Sequence, residues 1–301
     1  MDGVINLYKP TGISSHQAIT EVKKILKVKK AGHAGTLDPL AEGVLLVCIG
    51  EATKISRFLT AYDKEYLATL KLGEKTDTFD AEGRILETRD ISAVGIHDLE
   101  EAMSRFQGEI RQVPPMYSAI KSNGIPLYRL ARKGHTIERD SRNIAIYTIE
   151  IVEFEKPMAT IRIQCSKGTY VRSLVNDIGE YMNTGAHLVK LIRTKVDNFD
   201  VKDSASLKSE NIKEKFITID DALCNMDEIS LKKDAYMKAK NGVPIFLSDE
   251  NILKFERTVM PYQSGFYRLK DHRGMLFAIA RIEKDFIRIE RMLLTKLKEV
   301  F

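Results

Sequence analysis

The sequence has few of the residues that would mark a secreted, metal-dependent or membrane protein. Its three cysteines, Cys48, Cys165 and Cys224, are an odd number with no C-x-x-C pair. That argues against a disulfide framework, and each reads as a reduced, buried thiol beside apolar neighbours. The six histidines and three cysteines lack zinc spacing, so no metal is expected. The longest apolar run, residues 44–49, is too short to cross a bilayer. The opening residues carry an acid and then a Lys-Pro turn, with no basic patch leading into an apolar stretch, so no signal peptide is visible. These absences predict a cytoplasmic protein that does not meet a membrane. Neither a P-loop nor a G-x-G-x-x-G fingerprint occurs, and no redox or nucleotide cofactor is expected. No internal repeat or low-complexity tract is present.

What is present suits an ordinary folded chain. Of 301 residues, 44% are hydrophobic and 30% charged, which is too apolar for disorder. The length allows a large catalytic domain with a smaller appendage. A formal net charge of +5 favours an anionic partner without dictating a fold.

Local patterns then divide the chain. Ser14, Ser15, His16 and Gln17 match a capping box, and Ile19, Val22 and Leu26 follow at helical spacing, predicting a helix over 15–27. Lys23, Lys24, Lys27, Lys29 and Lys30 lie on or just past it, as a solvated face or a phosphate-binding stripe. Residues 66–72 alternate like a strand, and 73–83 read as the loop of a hairpin returning through 84–87. A helix is predicted over 97–106. Residues 107–134 read as a long irregular loop with no core element before Leu127, and loops of that length are usually functional.

Two β-rich stretches, 144–154 and 160–165, flank the breaker at Lys156 and Pro157 and predict neighbouring antiparallel strands. Val171, Leu174, Val175, Ile178 and Met182 then form a helical stripe. Thr169 is placed to cap that helix, and Arg172 falls in its first turn, off the stripe. After a polar run at 202–215, strand-like segments at 265–269, 276–282 and 286–289 predict a β-rich C-terminal domain starting near Asp227. The expected domains are 1–226 and 227–301.

Residues 32–43 pack three glycines and a proline around His33 and Asp38. Such density marks a tight irregular loop, and on local grounds an Asp-Pro pair merely starts a turn. The whole segment, however, resembles the catalytic loop of the TruB pseudouridine synthase family. Further motifs match in order. Residues 8–15 resemble the family's Lys-Pro-x-Gly-x-Ser-Ser signature, and Lys64 to Tyr66 its Lys-x-Tyr motif. Residues 76–83 resemble its Thr-Asp-Thr-x-Asp-x-x-Gly loop, and residues 112–121 the start of its RNA-gripping thumb. That thumb pattern continues through Gly124, Tyr128, Ala131, Arg132 and Gly134. Residues 165–172 resemble its strand-to-helix motif with the active-site arginine. Where members often read Leu-Arg-Arg-Thr and then Val-Gly-x-Phe, this chain has Ile192 before Arg193 and Asp197 and Asn198 before Phe199.

The resemblance implies an α/β (α+β) fold: a mixed, largely antiparallel sheet flanked by helices, with a PUA-like β-rich C-terminal domain. It implies isomerisation of uridine to pseudouridine at the T-loop position conventionally numbered 55 in elongator tRNAs. Asp38 would be the nucleophile, much as in a retaining glycosidase. Arg172 would keep that carboxylate ionised. Tyr66 would stack on the flipped base and take the C5 proton, and His33 would fill the space the base vacates. Asp80, Tyr170 and Leu191 would line the substrate site. Asp80 also reads as a turn residue, His33 as a loop histidine satisfied by backbone, and Leu191 as a packing residue at helical spacing from His187. Lys9, Lys121, Arg132 and Lys167 are expected phosphate contacts. The T-arm is the expected partner, and a monomer needing no protein partner is expected. Two rivals stand beside this reading: a non-catalytic tRNA-folding chaperone, and the catalytic subunit of an RNA-guided particle.

Overall fold

A computed structural model describes residues 1–122, 124–208, 210–248, 250–257 and 265–293. The chain begins with strand β1 (Gly3–Lys9), whose first five residues are all buried. Helix α1 (Ser15–Leu26) follows, and its capping box is present as expected: the Ser14 side chain accepts from the Gln17 backbone while the Gln17 side chain reaches back. Ala18, Ile19, Val22 and Leu26 form its buried stripe, each large side chain contributing roughly 1.5–3 kcal/mol by leaving water. Strands β2 (Ala31–Ala34) and β3 (Glu42–Ile49) flank the Asp38 segment, and the short helix α2 (Ser56–Thr60) leads to β4 (Lys64–Leu72). In β4 every second residue is buried, the period of a strand with one covered face.

Next come β5 (Glu74–Thr76), β6 (Ile85–Thr88), α3 (Ile96–Ser104) and β7 (Gly108–Gln112). The thumb segment holds β8 (Lys121–Ser122), β9 (Ile125–Pro126) and the single-turn α4 (Leu127–Ala131). Strands β10 (Arg142–Glu155) and β11 (Met158–Cys165) pair antiparallel, as their composition predicts. Helix α5 (Val171–Tyr181) and strand β12 (Ala186–Val196) then complete the frame of the site. The main sheet runs β1, β3, β12, β4, β11, β10, β7, with β2 on β3. Its pairings are antiparallel except where β12 meets β3 in parallel, and where β1 meets the short edge strand Ala205–Ser206. The fold is therefore the expected mixed, largely antiparallel sheet.

Five local expectations need correction. Cys48 and Cys165 are buried, but Cys224 is exposed, because it falls just past the short helix Ile219–Ala222 instead of on a core-facing position. Residues 84–87 do not return onto 66–72: β6 pairs with β5 in a separate two-stranded ribbon, and β4 takes β11 and β12 as neighbours. The thumb segment is not irregular up to Leu127, because β7 pairs with β10 at the sheet edge. Thr169 does not cap α5. Its hydroxyl donates to the Ser166 carbonyl, and Tyr170 sits at the cap with no side-chain bond. Leu191 and His187 lie on strand β12, where a spacing of four also returns a side chain to one face.

Among the described residues, the C-terminal part is a six-stranded sheet spanning residues 227–292, mostly antiparallel, with one helix over Lys233–Lys240. It has its own core around Ile229, Leu269, Ala278 and Ile287. Residues 294–301 of the expected domain lie outside the described residues. The sheet docks on the catalytic part through Phe58 and Phe266, whose rings meet edge to face at 5.1 Å. Arg57 pairs with Glu290 beside them at 2.6 Å.

Candidate active site

Asp38 sits in the connection from β2 to β3, and the N-terminal Lys-Pro-x-Gly-x-Ser-Ser segment clamps that connection. The Ser15 hydroxyl accepts from the Leu37 amide at 2.8 Å and lies 2.9 Å from the Leu37 carbonyl. The Gly12 amide donates to the Pro39 carbonyl at 2.9 Å, and the Thr11 hydroxyl to the Leu40 carbonyl at 3.0 Å. The peptide on either side of Asp38 is thus fixed by a segment some 25 residues upstream, which gives the two motifs one purpose. Gly43 closes the loop at φ +103°, and a Cβ there would lie 2.3 Å from the Arg193 carbonyl oxygen, so only glycine fits.

Arg172, in the first turn of α5, joins two carboxylates. Its Nη2 lies 2.9 Å from Asp38 Oδ2, and its Nη1 lies 3.0 Å from Asp80 Oδ2. The same guanidinium donates to the Tyr117 carbonyl at 2.7 Å, tying the root of the thumb to Asp38. Arg172 and Asp80 are buried, whereas the Asp38 side chain keeps 41% of its surface open. One end of this line therefore faces solvent. Burial against the protein wall raises the Asp38 carboxyl above its ordinary value of 3.8, and Arg172 opposes that rise. The cation thus limits protonation of Asp38 without reversing the effect of burial. Asp80, offered as a turn residue or a nucleotide contact, is placed to hold Arg172. It also accepts from the Thr78 hydroxyl and the Glu82 amide.

Tyr66 projects from β4 into the same region and is buried, which raises its phenol; the neighbouring Arg193 pulls it back. His33 is on strand β2 rather than in a loop, and its Nδ1 finds no hydrogen-bond partner among the described residues. Burial and the charge of Arg193 hold its imidazole below the ordinary value of 6.5, favouring a neutral ring. Leu191 is buried on β12 in the core cluster that includes Leu37 and Tyr66. Tyr170 is clasped through its backbone by Gln112, which accepts from its amide at 2.8 Å and donates to its carbonyl at 3.1 Å.

Lys9 is the clearest departure. Expected as a phosphate contact, it is fully buried, with Nζ donating to the Pro10 carbonyl at 2.8 Å and the Ile13 carbonyl at 2.7 Å. Its amine is pushed down to about 8, chiefly by burial. Lys64 behaves alike, donating to the Thr60 and Tyr62 carbonyls, and burial lowers it to about 8. By contrast Lys121, Arg132 and Lys167 are exposed and available to a polyanion. Sequence reasoning assigned no role to Ser15, Gln112 or Arg193. All three lie inside segments that resemble family motifs, so a signal existed there.

Comparison with known proteins gives the family to which this fold belongs. Residues 23–171 match the model of the TruB family pseudouridylate synthase N-terminal domain, and residues 172–232 that of the tRNA pseudouridylate synthase B C-terminal domain. The tRNA pseudouridine synthase B of Haemophilus influenzae is 39% identical, over 97% of this chain and 95% of its own. That of Clostridium acetobutylicum is 47% identical, over 84% of this chain and 88% of its own. Among solved structures, a chain of a Cbf5-Nop10-Gar1 complex superposes with a TM-score of 0.75 at 26% identity, covering 97% of this chain and 85% of the other. Fold and site thus define an isomerase of the pseudouridylate synthase class. Within that class, the chain belongs to the TruB family.

Proposed function

We propose that this protein converts the T-loop uridine numbered 55 of elongator tRNAs into pseudouridine, with Asp38 as the nucleophile. The observation that carries the reading is the line Asp80, Arg172, Asp38, in which only the Asp38 carboxylate opens to solvent. In the reaction the bond from N1 to C1′ breaks, the uracil turns, and C5 bonds to C1′. C5 loses its proton and N1 gains one, so no electron or phosphate acceptor is required. A carboxylate serves either as nucleophile or as support for a developing sugar cation. A uridine in a folded loop must first be flipped out; Tyr66, near enough to Asp38 to feel its charge, is read as stacking on it, and His33, on the strand that leads into the Asp38 loop, as filling its place.

Tight backbone clamping of the Asp38 loop supports an enzyme over a folding chaperone, since binding alone needs no such fixation. The thumb segment, rooted on Arg172 through Tyr117, supports a standalone enzyme gripping its own RNA over a subunit that depends on a guide. Residues 227–301 are read as a PUA-like domain that adds RNA contacts. The reading is tested by incubating the pure protein with an unmodified tRNA transcript, without cofactor, and mapping pseudouridine by carbodiimide adduct and primer extension. A new stop at the T-loop is expected; its absence would end the proposal.

A further inference from the structure

Arg193 is among the largest fully buried side chains of the protein, at 1% exposure, and none of the described ion pairs gives it a carboxylate. A guanidinium stays charged wherever it is placed, so burying one is costly unless its donors are all directed at acceptors. Here the acceptors are backbone carbonyls at the two ends of the Asp38 loop. Nη2 donates to Gly35 at 3.1 Å and Nε to Val44 at 2.7 Å, while Nη1 lies 3.5 Å from the Thr36 carbonyl. The backbone of Arg193 meets the loop as well. It pairs in parallel with Gly43, the glycine whose missing Cβ permits that approach. On its other side Arg193 is the direct cross-strand partner of Tyr66.

From this geometry we propose that Arg193 is a positioning residue that closes the Asp38 loop at both ends and sets the loop against Tyr66. One rigid fork, held by central strand β12, fixes residues 35, 36 and 44. The nucleophile therefore cannot drift relative to the stacking tyrosine, although none of the described hydrogen bonds of Arg193 goes to Asp38 itself. A lysine could keep the charge and reach one carbonyl, but it could not bridge both ends. The guanidinium also pulls the Tyr66 phenol down against the effect of burial, so its charge acts on the same partner that its geometry orients.

The inference rests on the isomerase activity proposed above. Its test compares wild type, Arg193→Gln and Arg193→Lys in single-turnover pseudouridine formation at saturating enzyme, alongside tRNA affinity and thermal melting. Arg193→Gln is expected to slow the chemical step by about 100-fold or more, the scale of a roughly 1 Å misplacement, while Kd stays within about threefold. Arg193→Lys is expected to recover about tenfold of that loss. A Gln variant within about threefold of the wild-type rate, or a loss confined to affinity, would overturn the inference. If the Gln variant does not fold, the Lys variant decides alone: an unchanged rate overturns the inference, and a drop of about tenfold at constant Kd supports it. A wild-type protein that forms no product would instead refute the isomerase reading.

Discussion

The floor of the site and the thumb above it are built on opposite principles. On the floor, Lys9, Lys64 and Arg193 are buried cations whose donors go to backbone carbonyls, and Arg172 is buried between two carboxylates. In the thumb the elements are two to five residues long, and Arg111, Lys121, Arg129, Arg132 and Lys133 are exposed. The thumb is anchored at its root, where Gln112, Ser118 and Leu127 are buried. Positive charge thus stands in two settings in one protein: inside it fixes the chain, and outside it lies open to solvent, where we propose that it meets the RNA. The first setting needs exact acceptors, the second only proximity.

The sharpest way to break that contrast is to remove the buried cation that faces both carboxylates. Arg172→Met should lower the single-turnover rate by about a thousandfold, on the scale of losing an electrostatic donor from a preorganised site. It should also lower stability by about 3 kcal/mol, because Asp80 is left buried and unpaired. The pH dependence should move with it. The Asp38 carboxyl already titrates above 3.8 because burial outweighs Arg172. The wild-type rate should therefore fall as pH drops through a midpoint above that value. Without Arg172 the midpoint should rise further, and a stationary midpoint would show that Asp38 is not the titrating group.

Lys9→Met tests the inside role more gently. Two carbonyls lose their donor, costing about 1–3 kcal/mol by denaturant melting, while the salt dependence of tRNA binding stays unchanged. A phosphate contact would instead lower the slope by about one. Linkage gives the sign of a second effect. The Lys9 amine ionises near 8 in the folded protein and near 10.5 unfolded, so between those values the unfolded state binds more protons. Its charged form therefore weakens the fold below pH 8, and that penalty is relieved as pH rises from about 8 to 10.5. In Lys9→Met this component of the pH dependence should vanish. The smallest effect belongs to the thumb: Lys121→Ala should weaken tRNA binding a few-fold and reduce the salt slope by about one, with the saturated rate unaltered.

The same contrast explains what could be read from the sequence. Capping at Ser14, the stripe of α1 and the antiparallel pair β10 and β11 are local patterns and were readable as such. Asp38, Arg172 and Tyr66 were readable only through the family resemblance, and the structure gathers them in one region. The partner of β4 was not readable, because β12 lies more than 100 residues downstream, and the nearby segment 84–87 offered a false return. Leu191 misled because residues four apart share a face in both a helix and a strand. Lys9 misled because a lysine's burial depends on which carbonyls the fold brings to it. Arg193 stood inside a matched motif, but its task was unreadable for the same reason: its partners, Gly35 and Val44, contribute backbone rather than side chain, and backbone leaves no mark in composition.

The central claim is that the open carboxylate of Asp38 performs the chemistry on a site that binds RNA by other means. Its most direct test is single-turnover pseudouridine formation by Asp38→Asn on an unmodified transcript, with affinity measured in parallel. The predicted result is no detectable product with Kd within about tenfold of wild type. Product formed at a rate within tenfold of wild type would contradict the claim.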